Sequence, residues 1–371
     1  MKKILIIQET LIGGGAEKVL VNLLNNIDYT KYKVDLLVLI KYGVHLENIN
    51  KNVNVKSIFT PIKFKNEFFN KLQKRFFYKS LENLPEVIIN FFLKDKYDYQ
   101  IAFLEGLCTN ILSKAKAKKG KKVAWVHIDL EKYKKLPQEI ENECYKAMDE
   151  IICVSKDVKE VVDRLYPDVS EKTKVIYNLM DKEDILIKSN EKIEYNENKP
   201  TIIGIGRLAP QKRFDLLIKA HREVIESGID NKLLILGSGD LKEELEALID
   251  ELDVRDTVEI KEFVKNPYSY IKRADMLVMS SDFEGFSLVV GEAMILGKCI
   301  VSTKCAGPIE LLDNGQAGQL VECGDLAGLV NAIKNLLEDK EKREFYEKRA
   351  LERSEIFDSE EIMKEIYKVI K

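Results

Sequence analysis

The chain has 371 residues, of which 45% are hydrophobic, which is enough to bury the cores of two domains. Its six cysteines include no CxxC pair and it has only three histidines, which argues against a disulfide framework and a structural zinc site and favours a reducing compartment. The net charge of −3 divides into +8 for residues 1–180 and −11 for the remainder. We therefore expect the first half to meet an anionic partner; no nucleic-acid-binding motif is present.

The chain contains no segment typical of membrane insertion or export. The N-terminal run MKKILIIQET is too short for a signal peptide, and nowhere do eighteen apolar residues follow one another. The predicted location is the cytoplasm or the inner face of the cell membrane.

Short apolar runs alternate with helical patterns along the whole chain, as in parallel sheets flanked by helices. The predicted strands are 3–7, 34–39, 99–103, 122–126, 150–154, 201–205, 232–236, 257–260, 276–279 and 299–302. Between the two sets, residues 181–200 are polar and predict a linker. The pattern favours an α/β protein with two Rossmann-like domains, 1–180 and 201–356, that face each other across a central cleft. A final helix at 357–371 is expected to pack back on the first domain.

Three glycines, Gly13, Gly14 and Gly15, separate the first predicted strand from a helical pattern. They either supply positive φ for a tight turn or let the backbone approach an anionic ligand at the helix N-terminus. Neither the dinucleotide nor the P-loop signature is present, so the junction alone leaves both explanations open.

The segment 63–79 has aromatic and aliphatic residues at helical spacing, interleaved with basic residues. The apolar positions are Phe68, Phe69, Leu72, Phe76 and Phe77. One interpretation is a helix packed on its own domain with solvated lysines. The other is an interfacial helix that lies on an anionic membrane.

His127 follows an apolar strand in the segment WVHID, with Asp129 two residues later. A single histidine at such a position is either structural or part of a ligand site. The other two histidines, His45 and His221, are predicted to be structural.

In the second half, Arg207 and Lys212 of GRLAPQKR follow a strand end and precede a helix. A forked guanidinium and a mobile ammonium suit a diphosphate, although the same residues can be solvated surface charges.

The segment EGFSLVVGE places Glu284 on a loop and Glu292 on a helix that starts near Ser287. Glu292 lies among apolar residues, and charged side chains are rarely buried without a partner, so we expect it to bind a ligand. Helix-surface and helix-entry positions are the alternative for these two glutamates.

Several segments in order, GGGAEKVLVNL, AWVHID, GRLAPQKR, ILGSGDLKEEL, EGFSLVVGE and AGPIELL, resemble the retaining glycosyltransferases of family 4, which have the GT-B fold. The resemblance is strongest in 201–325 and weakest in 50–100. The sequence departs from the family at Lys304 and Cys305, where small residues are common.

The resemblance implies an acceptor-binding first domain and a nucleotide-sugar-binding second domain. Arg207 and Lys212 would hold the donor diphosphate, Glu292 the ribose hydroxyls, and Glu284 the transferred sugar. His127 would act at the donor sugar, and Gly14 and Gly15 would line the cleft opposite the donor phosphates. Further donor contacts are implied for Gly237, Phe263, Val264, Gly285, Phe286, Ser287 and Leu288.

The predicted function is metal-independent, retaining transfer of a hexose or N-acetylhexosamine from a nucleotide-sugar, above all a UDP-sugar. The expected acceptor is a glycan or lipid-linked glycan of cell-surface polysaccharide synthesis, and no cofactor is expected. A nucleotide-sugar epimerase or phosphorylase of the same architecture, and a catalytically silent subunit of a transferase complex, are the alternatives.

Overall fold

The computed structural model describes residues 1–83, 85–92, 96–116, 120–133, 135–193 and 199–371. The chain forms two compact units. Unit 1 comprises Met1–Leu179 together with Glu360–Lys371, and unit 2 comprises Met180–Ser359.

Unit 1 is built on a seven-stranded parallel sheet with the strand order β3-β2-β1-β4-β5-β6-β7. Its strands are β1 (Lys2–Gln8), β2 (Tyr32–Ile40), β3 (Asn54–Phe59), β4 (Tyr99–Ala102), β5 (Lys121–Val126), β6 (Glu150–Cys153) and β7 (Thr173–Val175). Its helices are α1 (Gly15–Asn26), α2 (Glu67–Asn83), α3 (Pro85–Phe92), α4 (Leu107–Ser113), α5 (Gln138–Lys146) and α6 (Lys156–Leu165). Chain order reverses between β1 and β4, which is the point where ligands bind in open α/β sheets.

Unit 2 repeats this architecture with six parallel strands in the order β10-β9-β8-β11-β12-β13. The strands are β8 (Thr201–Ile205), β9 (Lys232–Leu236), β10 (Val258–Lys261), β11 (Met276–Met279), β12 (Cys299–Thr303) and β13 (Gln319–Val321). The helices are α7 (Lys182–Ser189), α8 (Phe214–Glu226), α9 (Lys242–Glu251), α10 (Tyr268–Arg273), α11 (Leu288–Ile295), α12 (Ala306–Leu311), α13 (Leu326–Glu338) and α14 (Lys340–Arg353). The two Rossmann-like α/β domains predicted from the sequence are confirmed, and the switch point of this sheet lies between β8 and β11.

All ten predicted strands are present within one or two residues of their predicted ends, but β3, β7 and β13 are missing from the prediction. Each of the three lies at an edge of its sheet. Central parallel strands are covered on both faces and have continuous apolar runs, whereas edge strands keep polar residues, as in NVKSIF of β3.

The predicted linker differs from the structure. Residues 182–189 form α7, which begins at the capping carboxylate of Asp181 and packs against α10 and α11 inside unit 2. Residues 194–198 of the predicted linker lie outside the described residues. The final helix, α15 (Ser359–Val369), packs on unit 1, where the Tyr32 and Tyr367 rings stack with centroids 5.6 Å apart.

The apolar residues of the 63–79 segment lie on two opposite faces of helix α2, one buried and one exposed. Phe77 is buried and stacks on Phe59 of β3 with ring centroids 4.2 Å apart, so it does not share one apolar face with the other four residues, contrary to the prediction from the periodicity. Leu81, one turn later, is also buried. The other four, Phe68, Phe69, Leu72 and Phe76, are 50–65% exposed. Among the helices that the structure describes, none combines the length and apolar character needed to cross a bilayer.

Candidate functional site

The loops after β8 and β11 meet at the switch point of unit 2 and are joined by several hydrogen bonds. The Asp282 N–H donates to the Gln211 carbonyl at 2.9 Å, and the Gln211 side chain donates to the Phe283 carbonyl at 2.6 Å. The Ser280 hydroxyl donates to the carbonyl oxygens of Lys212 and Arg213 at 2.8 and 3.0 Å. The two loops therefore form one polar surface at the carboxyl ends of the central strands.

Lys212 and Glu284 are brought into direct contact on this surface. Lys212 Nζ lies 2.6 Å from Glu284 Oε1, and both side chains are largely buried. The sequence places both residues at one site, but it gives no indication that they pair. An incoming anion at Lys212 would share the ammonium with this carboxylate.

Arg207 lies on the same loop and is exposed. Across the described ranges, its guanidinium forms no hydrogen bond or ion pair, in contrast to neighbouring Arg213, which bonds to Asp215 and Asp282. Five unpaired N–H donors beside Lys212 are suited to bind a phosphate or a diphosphate.

Helix α11 begins at Leu288, directly after Ser287, whose backbone is left-handed at φ 70°. Such a conformation is uncommon outside glycine and clusters at functional sites. The Ser287 hydroxyl donates to Met279 Sδ at 3.1 Å. The first backbone N–H groups of an α-helix have no acceptor within the helix, so the start of α11 is suited to bind an anion. Glu292 lies one turn into α11 and is only 3% exposed.

Two glycines keep the backbone of this surface compact. A Cβ on Gly237 would lie 1.9 Å from the Gly206 carbonyl oxygen, and a Cβ on Gly307 would lie 2.5 Å from the Phe286 backbone. Gly237 is therefore required for contact between the loops after β8 and β9, whereas the sequence interpretation assigned it to the nucleotide.

Phe263 and Val264 follow β10, at the edge of the sheet, two strands away from β8. Phe263 is 54% exposed and Val264 is half-buried. They lie at the same carboxyl edge of the sheet as Arg207. They are not part of the switch-point cluster, which is the polar surface formed by the loops after β8 and β11.

In unit 1, the glycine junction follows β1 at the switch point. Gly13 has φ 134°, which requires glycine, and a Cβ on Gly14 would lie 2.3 Å from the Glu17 carboxylate. Gly14 is the N-cap and Gly15 the first residue of α1. The tight-turn explanation therefore holds for Gly13, whereas Gly14 is extended at φ −76°. The predicted contact of Gly14 and Gly15 with donor phosphates stays a prediction.

His127 follows β5 and is 9% exposed. Burial lowers its pKa to about 3, so the ring is neutral, and it also hydrogen-bonds to the Phe103 backbone. That bond raises the pKa and therefore goes to the carbonyl oxygen. The Nε2 atom is buried and has no hydrogen-bond partner within the described residues.

Glu105, after β4, is a buried residue that the sequence interpretation missed. Its Oε2 accepts the His127 N–H at 3.0 Å, and burial raises the pKa of its carboxyl. It thus ties the ends of β4 and β5 together next to His127. Asp129 accepts the Glu131 and Lys132 N–H groups and so stabilises the following turn.

His221 is buried, with Nε2 2.9 Å from the Thr257 hydroxyl, and His45 is half-buried. In the part of the chain that is described, no cluster of three His, Cys, Asp or Glu side chains could hold a metal ion.

Two family models match consecutive parts of the chain. The model described as Glycosyltransferase Family 4 matches residues 13–184, and the model described as Glycosyl transferases group 1 matches residues 187–353. The two matched ranges contain the unit 1 and unit 2 switch points described above. The chain belongs to the GT-B glycosyltransferases.

Among curated glycosyltransferases, one relative is the N-acetylgalactosamine-N,N'-diacetylbacillosaminyl-diphospho-undecaprenol 4-alpha-N-acetylgalactosaminyltransferase of Campylobacter jejuni. It is 33% identical over 227 residues, which cover 61% of this chain and 61% of the relative. The chain thus aligns with less than two thirds of that glycosyltransferase's length.

Solved glycosyltransferase structures share the fold over the whole chain. Anabaena Alr3699/HepE, solved in complex with UDP, covers 100% of this chain and 99% of its own, with a TM-score of 0.75 and 21% identity. Staphylococcus aureus TarM covers 99% of this chain and 98% of its own, with a TM-score of 0.78 and 14% identity. At these identities the likeness establishes the GT-B fold.

Proposed function

We propose that this protein is a retaining glycosyltransferase that moves a hexose or N-acetylhexosamine from a UDP-sugar to a glycan or lipid-linked acceptor in cell-surface polysaccharide synthesis. The observation that carries the proposal is the switch-point cluster of unit 2. There the Arg207 guanidinium, which has no partner among the described residues, shares one surface with the Lys212 ammonium and the start of α11. The Lys212 ammonium pairs with Glu284. Anionic diphosphates bind to such donors.

The comparisons support the donor and acceptor classes. HepE was solved with UDP, and the name of the Campylobacter jejuni relative contains a diphospho-undecaprenol-linked glycan and an α-linked N-acetylgalactosaminyl group. A UDP-sugar donor suits the polar switch-point cluster of unit 2. A lipid-linked acceptor suits the exposed apolar face of α2 in unit 1.

In the proposed reaction, Arg207 and Lys212 stabilise the negative charge that develops on the departing nucleotide diphosphate. Glu292 accepts hydrogen bonds from the ribose hydroxyls, and Glu284 orients the transferred sugar. His127 is neutral and offers Nε2 as an acceptor to a sugar hydroxyl. The acceptor hydroxyl attacks the anomeric carbon on the face from which the nucleotide leaves, so no protein nucleophile is required.

UDP binding is expected to need no divalent cation, because protein cations supply the positive charge at the diphosphate. Calorimetric titration of the protein in EDTA with UDP, GDP, ADP and CDP measures this directly. UDP should bind more tightly than the other three, with the same affinity after Mg²⁺ is added. Tighter binding of another nucleotide, or UDP binding only after Mg²⁺ is restored, would contradict the proposed donor site.

The product should keep the anomeric configuration of the donor, because leaving group and acceptor share one face. Proton NMR of the purified glycoside made from an α-linked UDP-sugar is the measurement. We expect the small anomeric coupling constant of an α-linkage for a gluco- or galacto-configured sugar. A β-linked product would remove the protein from the retaining enzymes while leaving its fold assignment intact.

We also propose that unit 1 lies on an anionic membrane through α2. At 100° per residue, its exposed apolar side chains fall within an arc of about 100°, and the buried Phe77 and Leu81 lie on the other side of the helix. The apolar residues of the arc are Phe68, Phe69, Leu72 and Phe76. Residues 61–80 contain six basic residues and a single acidic one, Glu67, so the surface complements an anionic lipid layer in both charge and polarity.

A further inference from the structure

Two cysteines follow two adjacent strands of unit 2, β12 and the edge strand β13. Strands β12 and β13 run parallel with Thr303 opposite Val321, and each is followed two residues later by a cysteine. The Sγ atoms of Cys305 and Cys323 are 3.9 Å apart, and both residues are free thiols. Cys323 is exposed, whereas Cys305 and the other four cysteines of the chain are buried.

Both thiols contact the loop that carries Glu284. Cys305 Sγ donates to the Ser281 carbonyl at 3.1 Å, and Cys323 Sγ lies 3.7 Å from the same oxygen and 3.6 Å from the Asp282 carbonyl. The Thr303 hydroxyl is the third donor to Ser281, at 2.6 Å. Among the described residues, two of the three side-chain donors to the Ser281 carbonyl are therefore oxidisable thiols.

We propose that Cys305 and Cys323 form a reversible disulfide that loosens the loop 281–287 and so weakens donor binding. Cys323 lies on an exposed turn, and the next residue, Gly324, has φ 78° with no atom within 4 Å of an added Cβ. The turn therefore has room to bring Cys323 the short distance to Cys305. Only the effect on donor binding rests on the proposed function.

The oxidant class is a low-molecular-weight disulfide such as oxidised glutathione. The Cys323 thiolate attacks one glutathione sulfur, forms a mixed disulfide and releases one glutathione. Cys305 then loses its proton and attacks Cys323 Sγ, which forms the protein disulfide and releases the second glutathione. Two thiols are oxidised, one glutathione disulfide is reduced, and both protons end on the released glutathiones.

Disulfide formation removes both S–H donors from the Ser281 carbonyl, which then keeps Thr303 as its one side-chain donor among the described residues. The loop remains joined to Gln211 and Arg213 on its other side, so we expect loosening rather than unfolding. Loss of two weak hydrogen bonds should raise the Kd for UDP roughly five- to tenfold.

The test compares wild type with Cys323→Ser, a change at an exposed position, before and after incubation with oxidised glutathione. Peptide mass spectrometry locates disulfides, amide hydrogen exchange follows the peptide 281–287, and calorimetry measures UDP affinity. We expect oxidised wild type to show the Cys305–Cys323 link, faster exchange in that peptide and weaker UDP binding, all reversed by dithiothreitol. Cys323→Ser should show none of these changes.

Free thiols at both positions, a glutathione adduct that stops at Cys323, or a disulfide without faster exchange would each overturn the proposal. The disulfide and exchange measurements need no ligand. If the reduced protein fails to bind UDP, the proposed donor site fails, while these two measurements still decide whether the thiol pair loosens the loop.

Discussion

Arg207→Ala and Lys212→Ala should each lower the transfer rate by about a hundredfold or more, because each removes a cation from the departing diphosphate. Each donor group is expected to stabilise the transition state by on the order of 3 kcal/mol. The measurement is kcat and KM for release of UDP in the presence of acceptor. Since Arg207 is exposed and its guanidinium forms no hydrogen bond or ion pair among the described residues, its replacement should leave the melting temperature unchanged.

The two substitutions differ in one informative respect. Lys212→Ala also leaves Glu284 largely buried without its ammonium, so a modest loss of stability should accompany the loss of rate. Lys348→Ala, which removes an exposed cation from α14, is the matched control and should retain wild-type rates. Near-normal turnover in both site variants would show that the diphosphate lies elsewhere.

Replacing Lys71, Lys74, Arg75 and Lys79 together by glutamate should reduce binding to vesicles of anionic lipid on the order of a hundredfold or more. Each basic residue near such a surface contributes about 1 kcal/mol, and the reversed charges add repulsion. Co-sedimentation with phosphatidylglycerol vesicles at low and physiological salt is the measurement. Wild-type binding should weaken with salt, because screening acts on exposed charges.

Two further variants separate charge from apolar contact. Phe68→Ser combined with Phe76→Ser keeps every charge of α2 and should weaken binding with little change in its salt dependence. A quadruple glutamate variant at exposed lysines of unit 2, namely Lys219, Lys272, Lys340 and Lys348, matches the charge change and should bind as wild type does. Equal binding by wild type and the α2 charge variant, or no binding by either, would mean that α2 does not dock on lipid.

The central strands of both sheets could be predicted because burial on both faces gives them uninterrupted apolar runs. The edge strands β3, β7 and β13 could not, since an edge strand needs fewer apolar residues and its pairing is decided by its neighbour. The same limit applies to α2. Its periodicity predicts a helix, but it does not show that Phe77 faces Phe59 while Phe76 faces solvent.

The site could be predicted as a set of positions but not as a set of contacts. Lys212 and Glu284 are 72 residues apart, and only the adjacency of β8 and β11 brings them to 2.6 Å. Glu105 belongs to no motif, and its role at the His127 backbone depends on the pairing of β4 with β5. Glycine is required at position 237 because a Cβ there would clash with the Gly206 carbonyl oxygen. The family resemblance alone explains this glycine by the approach of the loop to the nucleotide.

The central claim is that the protein transfers a sugar from a UDP-sugar to an acceptor. The most direct measurement is UDP release from a panel of UDP-hexoses and UDP-N-acetylhexosamines, with and without polyprenyl-diphosphate-linked glycan, together with mass analysis of the glycan. We predict that one donor gives UDP release that depends on the acceptor, with the glycan heavier by one sugar residue. Conversion of the donor to its epimer without acceptor would indicate an epimerase. No release or conversion with any donor, in the presence or absence of acceptor, would indicate a catalytically silent subunit and contradict the claim.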